Sequence, residues 1–154
     1  SSESYKPDFL LRLDPGNAKK ILKHMVANYS NKKNGKYEIL ENIYNHLMDE
    51  HKDAFWIAVF ANNSIADFES LLKIDESTFL KLLLKIMIAT RIENLEQRKI
   101  DFSMDLIINK KHPNIFEGID EVNSISLSLL IKHYQTIDDA TIKFNEFIEN
   151  IPNL

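Results

Sequence analysis

Phe79-Leu80-Lys81-Leu82-Leu83-Leu84-Lys85-Ile86-Met87-Ile88-Ala89 is the run on which the reading of the fold turns. Nine of its eleven positions are apolar and its two lysines stand four apart. On a helix that spacing puts both charges on one stripe and leaves the rest of the circumference greasy, so the run predicts a helix buried on most sides. At 1.5 Å per residue it covers only about 16 Å, too short for a bilayer, which needs about 20 apolar residues. Asp75-Glu76 before it and Arg91 after it add charge at both ends. The expectation is a hub helix wrapped by neighbouring segments.

Working outward, 154 residues with 44% hydrophobic and 27% charged content suit one globular domain with one core. Three glycines and four prolines leave little punctuation for many turns, so long elements with few loops are expected. With no cysteine, disulfides, thiol catalysis and thiolate metal sites are excluded. No basic-then-apolar leader opens the chain, Ser1-Ser2-Glu3-Ser4 lacks an initiator Met, and an excised portion of a longer intracellular protein is the expectation. The formal net charge of −4 argues against a domain that is wholly a nucleic-acid binder.

Residues 1–13 read as a lead-in whose apolar end (Phe9, Leu10, Leu11, Leu13) docks on the core, and 14–154 as the helical domain. Asp14-Pro15 is a helix start, since the Asp side chain can accept an orphan backbone N–H and Pro costs nothing at the first helical position. A helix to about Tyr29 follows, with Ile21, Leu22, Met25, Val26 and Tyr29 on one face. The loop Ser30–Gly35 places Gly35 where a left-handed residue can reset the chain. Tyr37, Leu40, Ile43, Tyr44 and Leu47 mark a second helix to about Glu50. Asp53 is expected to cap a third, with Ala54–Phe60 apolar throughout; a buried strand is the rival reading, and the want of partner strands favours helix. Asn62-Asn63 breaks it, and Ser64 with Asp67 has capping-box spacing before Phe68, Leu71 and Leu72. Asp75 is expected to cap the hub. A break is predicted near Thr90–Glu93, because an unbroken helix to Lys110 would exceed ordinary globular length. Pro113 stops that pattern, and two further helices are predicted around Val122–His133 and Asp138–Ile151. The sum is an all-α single domain of about six to eight helices around a central buried hydrophobic helix.

The local signatures of catalysis are missing: no Gly-x-Ser-x-Gly, no phosphate-cradling glycine loop, no His-Glu-x-x-His. His46, Asp49, Glu50 and His51 form the most metal-like group, yet those residues at a helix end are read as solvated or dipole-favoured. His133 is read as a hydrogen-bonded core histidine. Neither a catalytic residue, a metal site nor a cofactor is expected, and the chain is read as no enzyme.

Two features point to binding. Lys19, Lys20, Lys23, Lys32, Lys33 and Lys36 follow Asp14 with no acid between them, while Glu117, Asp120, Glu121, Asp138, Asp139, Glu146 and Glu149 crowd the last third. The basic patch of Lys19, Lys20 and Lys23 could meet phosphates or an acidic partner, or simply balance the acidic end. Around Asp53, Phe55 and Val59 share one helix side and Trp56 and Phe60 the next. Two such sides do not bury easily against a single helix, so either one lines a groove for a partner segment or both are core.

The stretch His51-Lys52-Asp53-Ala54-Phe55-Trp56-Ile57, the chain length, the helical pattern, the abundance of Asn, Lys and Ile and the closing Ile151-Pro152-Asn153-Leu154 resemble the C-terminal domains of the repressor-activator family of budding yeast. The resemblance covers the whole chain without a short diagnostic motif, and Ala54 departs from the more polar residue expected there. It implies a nuclear, telomere-associated recruitment domain that does not itself touch DNA and has no small-molecule substrate. Silencing and telomere-length regulatory proteins would dock by short segments on a hydrophobic groove at Asp53, Ala54, Phe55, Trp56, Val59 and Phe60. Nucleic-acid binding through the basic first helix, or a viral helical inhibitor of host signalling, are the alternatives.

Overall fold

The computed structural model describes residues 14–89 and 96–110; the lead-in to Leu13 and the helices predicted beyond Lys110 lie outside the described residues. Every regular element among the described residues is helical, so the chain is all-α. They fall into two compact units that divide between Asp75 and Glu76.

In the first unit, α1 runs Pro15–Ser30, with Asp14 accepting the Asn17 N–H at 3.3 Å and Pro at the first position. It buries Ala18, Leu22 and Val26, one turn apart. Gly35 then adopts φ 75°, the left-handed conformation that a side chain would strain, and starts α2, Lys36–Asn45. Ile39, Leu40, Ile43 and Tyr44 face inward.

This helix stops at Asn45 and not near Glu50, a correction to the sequence reading. His46 N–H bonds the Ile43 carbonyl at 3.1 Å and Leu47 N–H that of Tyr44 at 3.0 Å, tightening the last turn into 3-10 geometry. Met48 is extended, and a single 3-10 turn, Asp49–His51, follows. From it α3 runs directly, Lys52–Asn62, so Asp53 lies inside the first turn instead of capping it. An acid there still faces the positive end of the helix.

Ser64 caps α4, Ile65–Leu71, by accepting the Asp67 N–H at 3.3 Å, as the spacing predicts. A 3-10 turn, Leu72–Ile74, closes the unit. The packing is α1 on α3, with α2 beside α1 and α4 beside α2.

The second unit contains α5, Glu76–Ala89, and α6, Gln97–Lys110, packed on each other. Phe79, Leu80, Leu83, Ile86 and Met87 are buried along α5, while Lys81 and Lys85 are exposed on their shared stripe. The hub run is thus helical, with those five side chains buried and its two lysines exposed. The break predicted near Thr90–Glu93 lies outside the described residues. On α6, Ile100, Ser103 and Met104 are buried, and the Ser103 hydroxyl donates back to the Lys99 carbonyl at 2.8 Å. No helix among the described residues is long and apolar enough to cross a membrane.

Candidate functional site

The stretch singled out in the sequence, Asp53–Phe60, sits at the centre of the first unit. Phe55, Trp56, Val59 and Phe60 are each 0% exposed. Trp56 meets Phe55 edge-on with centroids 5.3 Å apart and lies 5.6 Å from Tyr44 and 6.2 Å from Phe68. Phe68 in turn meets Phe60 at 5.4 Å and 81°. Tilted and edge-to-face rings at these separations place positive ring edges against negative faces. Both aromatic sides of α3 are therefore satisfied from within the unit, because α1, α2 and α4 together supply what a single helix could not. These four side chains are core here and line no open groove; a hydrophobic docking groove formed by them is corrected to interior packing.

Asp53 and Ala54 remain half-exposed at the start of α3, and the connection leading to them is the surface feature of this unit. Met48 is 50% exposed, the large hydrophobic residue that stands out from the surface among the described residues. Asp49 and Glu50 follow it, 96% and 55% exposed at their side chains. The resulting surface is an apolar thioether flanked by carboxylates, with Asp53 a turn further on. Met is suited to such a position because its unbranched, polarizable side chain adapts to different partner shapes.

What holds this surface in place lies directly behind it. His51 is 2% exposed, its Nε2 3.8 Å from Glu50 Oε1 and its Nδ1 buried without a hydrogen-bond partner. Lys52 Nζ lies 2.8 Å from Asp49 Oδ1 and 5.1 Å from the centroid of the Tyr44 ring, tying the turn to α2. Asp53 Oδ1 accepts the Ala54 N–H at 2.7 Å. The connection is short, packed and fixed at both ends.

The metal-like grouping does not assemble. His46 Nδ1 lies 2.8 Å from the Asn42 carbonyl and donates to it, while His51 points inward. Among the described residues no three His, Cys, Asp or Glu side chains are placed to share an ion.

The basic residues divide into two kinds. Lys19, Lys20 and Lys23 are exposed on α1. Lys36, counted with them in the sequence, has a structural role: its Nζ, with the side chain 16% exposed, reaches Asp67 Oδ2 at 2.8 Å, Asn63 Oδ1 at 3.1 Å and the Ser30 carbonyl at 3.2 Å. Asn63, buried, donates to Ser30 Oγ at 3.0 Å and to the Val59 carbonyl at 2.9 Å. One ammonium and one amide thereby join the ends of α1 and α3 to the starts of α2 and α4.

No family model, curated protein or solved structure matches this chain. The functional reading accordingly stands on the residues themselves.

Sequence reasoning missed Met48 and the Lys36 network. For Met48 a signal existed: a second helix ending before Glu50 would have taken the residue out of any amphipathic face. For Lys36 there was none, since Asn63 and Asp67 lie 27 and 31 residues away.

Proposed function

We propose that this chain is a protein-recruitment module of a DNA-bound nuclear factor, gathering silencing and telomere-length regulatory proteins without touching DNA itself. Partner segments dock on the α2–α3 connection, over Met48 and the carboxylates of Asp49, Glu50 and Asp53. The observation that carries this reading is Met48, 50% exposed on the α2–α3 connection and followed directly by the exposed carboxylates of Asp49 and Glu50. The acidic rim selects segments that pair an apolar residue with lysine or arginine.

A photo-crosslinking residue at Met48, with the same residue at the exposed Glu69 of α4 as the control, tests the reading in extracts of the source cell. Crosslinks to silencing or telomere-length regulators from position 48, absent from position 69, are expected. Equal crosslinking from both positions, or none from position 48, contradicts it.

A further inference from the structure

The lysine face of α1 is a second surface, independent of the one around Met48. Across Pro15–Ser30 the helix contains Lys19, Lys20, Lys23 and His24 but no acidic residue, and all four side chains are exposed. At 100° per residue the three lysines fall within an arc of about 100° that borders the buried stripe of Ala18, Leu22 and Val26. Lys19 and Lys23 are four apart and Lys20 and Lys23 three apart, the spacings at which like charges oppose each other on a helix. Lys36 and Lys52 of the same unit are paired, with Asp67 and Asp49, while the exposed Lys33 and Lys73 do not form a cluster on one helix face. Among the described residues, Lys19, Lys20 and Lys23 are paired with no carboxylate.

From this clustering of positive charge on an acid-free helix we infer that the Lys19–Lys20–Lys23 face of α1 docks an acidic segment of a partner protein. The dimensions fit: from Lys19 to Lys23 the helix rises about 6 Å, matching carboxylates on one turn of a facing helix or a few residues of extended chain. A nucleic-acid duplex suits it less well. Duplex affinity is built from many phosphate contacts along a charged rod, whereas this patch is one turn tall and belongs to a chain of net charge −4. Tyr29, the tyrosine of α1, is half-buried and covered by Lys32 Nζ at 5.2 Å from its ring centroid, so it offers the lysines no open stacking face.

The test is fluorescence anisotropy of a labelled short Asp/Glu-rich peptide titrated with the full chain. Three proteins are compared: the unaltered chain; Lys19→Glu with Lys20→Glu and Lys23→Glu; and Lys73→Glu with Lys81→Glu and Arg98→Glu, which changes net charge equally at exposed sites elsewhere. The α1 variant is expected to bind about tenfold more weakly or worse, a few tenths to one kcal/mol for each lysine, and the control variant to match the unaltered chain. Far-UV circular dichroism verifies the fold, and a Lys→Gln triple replaces the Glu triple if that protein is unfolded. Absent peptide binding, equal loss in both charge variants, or tighter binding of a single-stranded oligonucleotide of the same charge overturns the inference.

Discussion

Lys36 Nζ lies 2.8 Å from Asp67 Oδ2, joining the first residue of α2 to the first turn of α4 across 31 residues of sequence. The two sides of this pair are unequal: the lysine side chain is 16% exposed and the aspartate 53%. Removing the lysine strands Asn63 Oδ1 and the Ser30 carbonyl in a buried setting, whereas removing the aspartate leaves an ammonium that still has both. Lys36→Met is therefore expected to cost about 1–3 kcal/mol, and Asp67→Ala about 0.2–1 kcal/mol, because the Ser64 cap uses the Asp67 backbone N–H and survives. Denaturant unfolding of the two variants checks the order; equal losses would mean that Lys36 serves only as a surface ion-pair partner.

The Tyr44 hydroxyl donates to Asp75 Oδ2 at 2.7 Å, holding the end of the first unit to α2. Tyr44→Phe keeps the ring contacts with Phe55 at 4.9 Å and Trp56 at 5.6 Å and removes only that bond. A hydrogen bond to a charged acceptor contributes about 1.5–3 kcal/mol. The expected loss falls in that range, and hydrogen exchange at Leu72–Ile74 is expected to speed up before exchange at Phe55–Phe60 does.

Leu83 is wholly buried on α5. Leu83→Ala is expected to cost about 2–5 kcal/mol, a large part of a typical domain stability of about 5–15 kcal/mol. Lys81→Ala, on the exposed stripe of the same helix, is expected to be near neutral. Thermal unfolding of the pair checks that the burial pattern of α5 is the one its sequence dictates.

On α6, burial holds the Lys99 ammonium below its ordinary value of 10.5, and the Glu96 carboxylate opposes that shift only in part. A lysine whose folded-state value is lowered binds its proton less readily when folded than when unfolded. Its cost is thus fully present at neutral pH and fades as pH rises from the lowered value towards 10.5. Lys99→Met is expected to stabilise the protein relative to the unaltered chain at pH 7, with the advantage shrinking as pH rises towards that limit. Urea titrations at several alkaline pH values check this, and an advantage that grows with pH would contradict it.

Elements written in local chemistry were legible in the sequence. Asp14-Pro15 and Ser64-x-x-Asp67 state their own helix starts, Gly35 its left-handed turn, and the two lysines of the hub run the exposed side of α5. Asp53 misled because an acid suits the first turn as well as the cap, and only the 3-10 turn before it decides between them. The four apolar side chains of α3 misled for a different reason. Periodicity shows which sides of a helix are greasy, not how many neighbours will cover them, and three helices converge here. The Lys36 network is longer-ranged still, since a surface-type residue becomes structural only when distant partners fold beside it.

The central structural claim is that Phe55, Trp56, Val59 and Phe60 form the interior of the first unit and line no open surface. It is tested most directly by acrylamide quenching of the protein's one tryptophan, Trp56. A blue-shifted emission with quenching far below that of the urea-unfolded chain is expected, since Trp56 is 0% exposed. Red-shifted emission quenched as readily as in the unfolded chain would put Trp56 on an open surface and contradict the account.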